Sequence, residues 1–256
     1  MSGKDHYYNK SKQEGYRSRA AYKLKQLDAE FDLLFGGATV VDLGAAPGGW
    51  LQVAAEAVGA RGKVVGVDFQ RIDDLDTEAG VETLRGDMTE PETRERIRDA
   101  AGGDVDVVVS DMAPNMTGEY NLDHARSVHL ARQALDTARE VLRDGGHFAV
   151  KVFDGQDFED FLADVEDEFA FARTYTPDAS RDSSSELYVV AKNRVDAPVD
   201  EGDVLDVEIT DEGDEGDGVA KVDGYTLFVA DADEGDTVDV EVTDVKPNFG
   251  FAERRD

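Results

Sequence analysis

The chain has 256 residues, 40% of them apolar, a formal charge of −31 and no cysteine. That length and apolar content support one larger domain plus something small, while the missing cysteines exclude disulfides, thiolate zinc sites and cysteine nucleophiles. The four scattered histidines offer no metal site, no apolar run approaches a membrane span, and the N-terminal MSGKDHYYNKSK is too polar for a signal peptide, so a cytoplasmic protein without membrane or metal, working as a monomer, is the default expectation.

The charge is unevenly placed. Residues 1–27 hold seven Lys or Arg (Lys4, Lys10, Lys12, Arg17, Arg19, Lys23, Lys25) against Asp5 and Glu14, a local balance of +5 that leaves −36 on the remainder. Acid on nearly every surface segment, with only ten lysines, resembles proteins from cells with molar salt, where the Debye length is about 3 Å and charge repulsion is screened. The acidity then reports habitat more than partner, and a basic arm that survives it points to a polyanionic partner such as RNA, with a merely solvated tail as the competing reading. Tyr7, Tyr8 and Tyr16 interleave with the arm; they either stack on bases or anchor the arm to the domain.

Beyond the arm, 18–34 carries apolar positions at helical spacing, and Gly36-Gly37 ends that helix. The pattern then alternates: strand 39–43, helix 48–58, strand 63–67, a short strand at 81–85, helix 90–100, strand 105–111, helix 123–143 and strand 146–153. Such alternation predicts a parallel, doubly wound α/β sheet with flanking helices. A helix at 157–168 and two strands, 169–175 and 186–192, complete this domain as a hairpin at one edge. Past Asn193 the helical period disappears. Short alternating segments at 204–210, 218–224, 225–231 and 236–245, separated by Asp-Gly and Glu-Gly turns, predict a small five-stranded β-barrel over 194–256. The run DEGDEGD at 211–217 reads as a solvated turn.

The most informative stretch is VVDLGAAPGGW at 40–50, a strand running through Asp42 into a glycine-rich turn and a helix. Its glycines allow close approach of a ligand, and the helix N-terminus supplies unpaired N–H groups. The turn reads G-A-A-P-G-G rather than the G-x-G-x-x-G of a dinucleotide site. That suits a cofactor without pyrophosphate, such as S-adenosyl-L-methionine, with Asp42 near its positive centres; a glycine turn that only serves packing is the competing reading. Asp68, ending KVVGVD about twenty residues on, is placed to accept from a cofactor ribose. His124 and His129 share a helix face without a third ligand and read as surface residues.

Five motifs in order, RSRAAYKL at 17–24, VVDLGAAPGGW at 40–50, SDMAPN at 110–115, FAVKVF at 148–153 and SSSELYVVA at 183–191, resemble the FtsJ/RrmJ (RlmE) family of RNA ribose 2′-O-methyltransferases over residues 6–193. The tail resembles a TRAM domain, an OB-like RNA-binding barrel. The resemblance implies a Rossmann-like class I methyltransferase sheet over 18–193 that uses S-adenosyl-L-methionine. It implies a catalytic tetrad of Lys23, Asp111, Lys151 and Glu186, and cofactor contacts at Gly48, Trp50, Asp68, Asp87 and Asp111. Asp68 would accept from the ribose hydroxyls and Asp87 from the adenine amine; Trp50 reads equally well as a core residue. The implied substrate is a uridine in the A-loop of 23S ribosomal RNA in the 50S subunit. Transfer RNA is the alternative, and a ribosome-assembly factor that has lost the chemistry is the rival from another class.

The implied reaction is an in-line displacement by a ribose hydroxyl, which must be aligned and relieved of its proton. Lys151 is the expected agent. Either Lys23 and partial burial strip it to a free amine that acts as base, or it stays an ammonium, oriented by Asp111, and stabilises the developing oxyanion. In the barrel, Tyr225, Phe228, Phe249 and Phe251 are the candidate RNA contacts, against the reading that the barrel only stabilises the protein.

Overall fold

A computed structural model describes residues 3–180, 185–195, 197–213 and 216–255. Residues 181–184, which open the SSSELYVVA motif, and 214–215 of the acidic run lie outside the described residues, as does the side chain of Lys4. The chain divides into two compact units, Met1–Val165 with Phe171–Asn193, and Glu166–Ala170 with Arg194–Asp256.

In the first unit the strands are β1 (Thr39–Leu43), β2 (Lys63–Asp68), β3 (Gly80–Arg85), β4 (Val105–Ser110), β5 (Leu142–Phe153), β6 (Phe169–Tyr175) and β7 (Glu186–Arg194). They form one sheet in the order β3-β2-β1-β4-β5-β7-β6. The pairs from β3 to β5 are all parallel, but β7 pairs antiparallel with β5, Lys151 opposite Tyr188 and Phe153 opposite Glu186. The sheet is therefore mixed rather than parallel. A parallel neighbour needs a crossover of a dozen or more residues, and only ten separate β6 from β7, with no helix among the described ones. The central strands read as continuous apolar runs because both faces are covered: Val40, Val41, Val64, Val65, Val107 and Val108 are fully buried.

The helices are α1 (Gly3–Glu14), α2 (Ala21–Phe31), α3 (Gly49–Val58), α4 (Pro91–Ala101), α5 (Tyr120–Val141) and α6 (Phe158–Glu166). Helix α1 takes up the start of the expected arm, and the tyrosines around it are largely spent on contacts within the protein. Tyr16 is buried and donates to Glu56 Oε2 at 2.5 Å, the Tyr22 hydroxyl donates to Glu14 Oε2 at 2.7 Å, and Gln26 donates to the Tyr7 hydroxyl at 3.0 Å. Lys25 sits over the Tyr16 ring and Lys10 over the Tyr22 ring. Tyr7 and Tyr16 are thus anchors, while Tyr8 is exposed. Burial pushes the Tyr16 hydroxyl well above its ordinary value, with the Glu56 hydrogen bond and charge adding to the shift.

Strands β8 (Val204–Glu212), β9 (Gly218–Val222), β10 (Tyr225–Val229), β11 (Thr237–Val245) and β12 (Phe249–Arg254) close a barrel in the order β10-β12-β11-β8-β9. Alternation sends Val207, Ile209, Leu227, Val229, Val238, Val240, Val242 and Ala252 inward. Tyr225 belongs to this interior and gives its hydroxyl to the Lys246 carbonyl at 2.6 Å, so it is not available for stacking. Phe228, Phe249 and Phe251 cluster on the outside with ring centroids 5.5–5.8 Å apart.

Arg17, one of the seven cations counted in the basic arm, ties the segment before α2 to two distant turns. Its guanidinium donates to the carbonyls of Pro47 (3.2 Å), Asp73 (2.7 Å) and Asp74 (2.6 Å). Charge-assisted bonds of this kind contribute about 1.5–3 kcal/mol each at best, less where partly exposed. Arg17→Ala is expected to lower Tm in thermal unfolding. Arg17→Lys should recover only part of the loss, because a single ammonium cannot span the three carbonyls as the planar fork does.

Candidate active site

The C-terminal ends of β1, β2 and β4 meet at the point where strand order reverses, which is where open α/β sheets bind ligands. The turn after β1 is fixed by backbone bonds: Gly44 and Ala45 donate to the Val67 carbonyl at 2.8 and 3.1 Å, and Gly48 to Ala45 at 2.7 Å. Gly44 (φ +76°) and Gly48 (φ +104°) occupy left-handed backbone, and a Cβ on Gly44 would lie 2.3 Å from Met112 Cγ, one on Gly48 2.8 Å from Arg17 Nη1. Asp68 supports the turn from β2, its Oδ2 accepting from Ala46 N at 3.0 Å and its Oδ1 from Gln70 N at 2.7 Å.

Around this turn lies a cavity of about 530 Å³, lined among others by Gly44, Asp68, Phe69, Met88, Asp111 and Met112. Of the expected cofactor residues, Asp68 and Asp111 line it. Asp87 falls between the lining residues Gly86 and Met88, and its Oδ1 accepts from Thr89 N and Oγ1 at 2.9 and 2.8 Å. Gly48 shapes the turn behind the cavity. The Trp50 side chain is buried, its Nε1 donating to the Ala20 carbonyl at 2.8 Å and its ring 6.0 Å from Tyr188, so the indole joins α3 to the start of α2. Phe69, 66% exposed and directly after Asp68, is a lining residue that sequence patterning did not mark.

Beside the cavity the structure brings together all four residues of the expected tetrad, from α2, the end of β4, β5 and β7. Lys151 Nζ donates to Asp111 Oδ1 at 2.7 Å and to the Asp111 carbonyl. Lys23 Nζ lies 3.5 Å from the same Oδ1 and 2.8 Å from Glu186 Oε1. The order Lys151, Asp111, Lys23, Glu186 alternates in sign, and both lysines are 6% exposed. Burial alone would raise the Asp111 carboxyl; the ammonium groups of Lys151 and Lys23, with hydrogen bonds from Lys151 and Tyr188, hold it below the ordinary carboxylate range. Tyr188 is the missed member. Fully buried, it donates its hydroxyl to Asp111 Oδ1 at 2.6 Å, and burial together with the Asp111 and Glu186 charges pushes it well above its ordinary range. As an apolar-looking letter in ELYVVA it gave no signal of its own.

A second cavity, of about 560 Å³, opens on the other side of this chain of charges, lined by Lys23 and Glu186; Ala113 borders both cavities. His124, expected at the surface, is buried beside it. Its Nδ1 donates to the Phe153 carbonyl at 2.9 Å and its Nε2 accepts from Asp157 N at 3.1 Å, because a full turn of α5 packs beneath the loop after β5.

A glycine-cradled cavity at the sheet's reversal point, next to two lysines locked to two carboxylates, defines a group-transfer site of the methyltransferase class. The chain belongs to the FtsJ-like methyltransferase family, which matches residues 16–194, and a TRAM domain matches residues 198–254. It is 78% identical over 253 residues to the ribosomal RNA large subunit methyltransferase E of Halobacterium salinarum, covering 99% of this chain and 98% of that one. A protein of the same name from Natronomonas pharaonis is 66% identical over 253 residues, covering 99% of both chains, in keeping with the halophilic composition. Among solved structures, a protein from Plasmodium falciparum described as a ribosomal RNA methyltransferase superposes with a TM-score of 0.62 at 26% identity, covering 70% of this chain and 98% of its own.

Asp42, on β1 behind the turn, is 1% exposed and its Oδ2 has no hydrogen-bond partner among the described residues. Burial, followed by the charges of Asp111 and Asp68, raises it well above the ordinary carboxylate range. Such a carboxyl takes up a proton on folding, so its contribution to stability declines as pH rises from the ordinary carboxylate range to its own raised value, and is flat beyond. Asp42→Asn should remove that slope. Unfolding free energies measured across this pH range are expected to show the variant gaining on the wild type as pH rises; parallel curves would count against a buried, unpartnered Asp42.

Proposed function

We propose that the protein transfers the methyl group of S-adenosyl-L-methionine to the 2′-hydroxyl of a uridine in the A-loop of 23S ribosomal RNA, acting on the 50S subunit. The observation that carries this reading is the four-residue ion chain set between two cavities, one suited to the methyl donor and the other open to a nucleotide. The near-identical length and high identity of the haloarchaeal relatives support the ribosomal substrate.

The donor fits the first cavity chemically. Asp68 and Asp87 offer carboxylate acceptors to ribose hydroxyls and an adenine amine, Phe69 offers an exposed ring, and the Asp111 carboxylate gives a negative setting for a cation. When bound, the donor supplies an electrophilic methyl on a sulfonium. The protein's own part is to hold and polarise the hydroxyl. Lys151, steadied by two acceptors on Asp111, acts as the cation that stabilises the 2′-oxygen as negative charge develops on it, the hydroxyl proton passing to solvent as the C–S bond breaks and the C–O bond forms. Asp111 fixes Lys151 and Lys23 in place, Tyr188 fixes Asp111, and Glu186 keeps Lys23 from drifting into the reaction space.

On the barrel, the Phe228, Phe249 and Phe251 cluster is assigned to RNA by base stacking, which a surface this acidic can do without phosphate contacts. The double variant Phe249→Ala/Phe251→Ala should then raise KM for RNA several-fold while leaving the donor KM alone; an unchanged RNA KM would favour a barrel that only stabilises.

The decisive assay incubates the protein in high KCl with labelled donor and undermethylated 50S subunits, then maps the product by nuclease digestion and mass spectrometry. Lys151→Ala should lower kcat by about 10²–10³, the usual cost of removing one stabilising donor. Absence of transfer by the wild type, or equal transfer by the variant, overturns the mechanism; in a parallel incubation with unmodified transfer RNA, label appearing there and not in the 50S subunit overturns the substrate.

A further inference from the structure

Two large apolar side chains stand in solvent at the mouth of the second cavity: Met116, 63% exposed, and Tyr120, 59% exposed. Tyr120 opens helix α5, and although most of its surface is bare, its hydroxyl donates to the Asp154 carbonyl at 2.7 Å. The ring is therefore tethered at its tip, and part of the entropy normally lost when a side chain is immobilised by a ligand is already gone. The segment before it is equally fixed. Buried Asp123 accepts from Thr117 N and Oγ1 at 2.8 Å and from Gly118 N at 2.9 Å, closing 117–123 into a rigid rim.

A tethered, exposed aromatic is a poor choice for solubility and a good one for stacking. It borders a cavity whose inner wall carries Lys23 and Glu186, the far end of the ion chain. A nucleotide whose 2′-oxygen lies at that chain must send its base outward, where Ala20, Ala113, Met116 and Tyr120 give the mixed lining its apolar surface; of the two cations there, Lys23 is held by Glu186 and Arg19 gives one N–H to the Ala179 carbonyl. We infer that the second cavity holds the unstacked base of the acceptor nucleotide, and that Tyr120 is the platform on which this base stacks. This inference rests on the proposed RNA methylation and adds the residue that seats the target base. Stacking on a π-face tolerates any base, so Tyr120 contributes seating and alignment, and leaves the choice of sequence to contacts elsewhere on the RNA.

The test uses the full-length protein with undermethylated 50S subunits, comparing Tyr120→Ala, Tyr120→Leu and Tyr120→Phe. Loss of a stacked base should lower kcat/KM for RNA about tenfold in the Ala and Leu variants, matching the lower part of the range for base–aromatic stacking. The donor KM and Tm should stay at wild-type values, since Tyr120 does not line the cofactor cavity. Tyr120→Phe keeps the ring and loses only the tether, so it should remain within about threefold of wild type, the tether being one neutral hydrogen bond. Wild-type kcat/KM in the Ala variant overturns the inference. So does a Phe variant as impaired as Ala, which would mean that the bond to Asp154, and not the ring, is what matters. Failure of the wild type to methylate at all would instead overturn the proposed function.

Discussion

Four side chains from four separate elements must arrive within hydrogen-bonding reach of one another for Lys151, Asp111, Lys23 and Glu186 to form an alternating ion chain. Burying any one of these charges alone is costly, and removing a partner would leave an uncompensated charge in a nearly dry setting. The chain of charges consequently constrains the fold around it. It requires β4 and β5 side by side, β7 paired antiparallel with β5 so that Glu186 lies opposite Phe153, and α2 pressed against the sheet by Trp50 and Tyr188. The antiparallel strand that breaks the parallel pattern is the one that delivers both Glu186 and Tyr188.

The acidity of the molecule and the chemistry of its site are two different electrostatic regimes. Outside, a net charge of −31 is tolerable where salt screens interactions beyond a few ångströms. Inside, ions are paired at contact distance, where salt has little influence. Long-range steering of RNA is weak under these conditions, so recognition falls to short-range contacts. On the proposed function, the exposed rings on the barrel and beside the second cavity would serve as contacts of that kind.

Much of this architecture was legible because β and α elements announce themselves by period, and the central strands are too apolar to be anything else. The tight turn after β1 was readable for a related reason: left-handed backbone at Gly44 and Gly48 requires glycine. What escaped was mostly decided by partners distant in sequence. Helix α1 has little apolar periodicity and is held by Tyr7, Tyr16 and Tyr22 through bonds to Gln26, Glu56 and Glu14. Arg17 looks like a phosphate ligand until the carbonyls at 47, 73 and 74 are seen around it. Trp50 and Tyr188 carry polar atoms whose partners, Ala20 and Asp111, lie 30 and 77 residues away. His124 is buried for the same kind of reason, since its two ring nitrogens are both satisfied by the loop after β5.

Asp111 lines the cofactor cavity and also anchors both lysines, one of which faces the second cavity. On the proposed function a single carboxylate would thus belong to two binding events. A cation brought to it from one side would compete with the lysines held on the other, so occupancy of the two cavities would be linked through one charge and, by thermodynamic necessity, the linkage would be reciprocal. No moving lid is needed for such communication; a shared counter-ion between adjoining sites is sufficient to let each sense the state of the other.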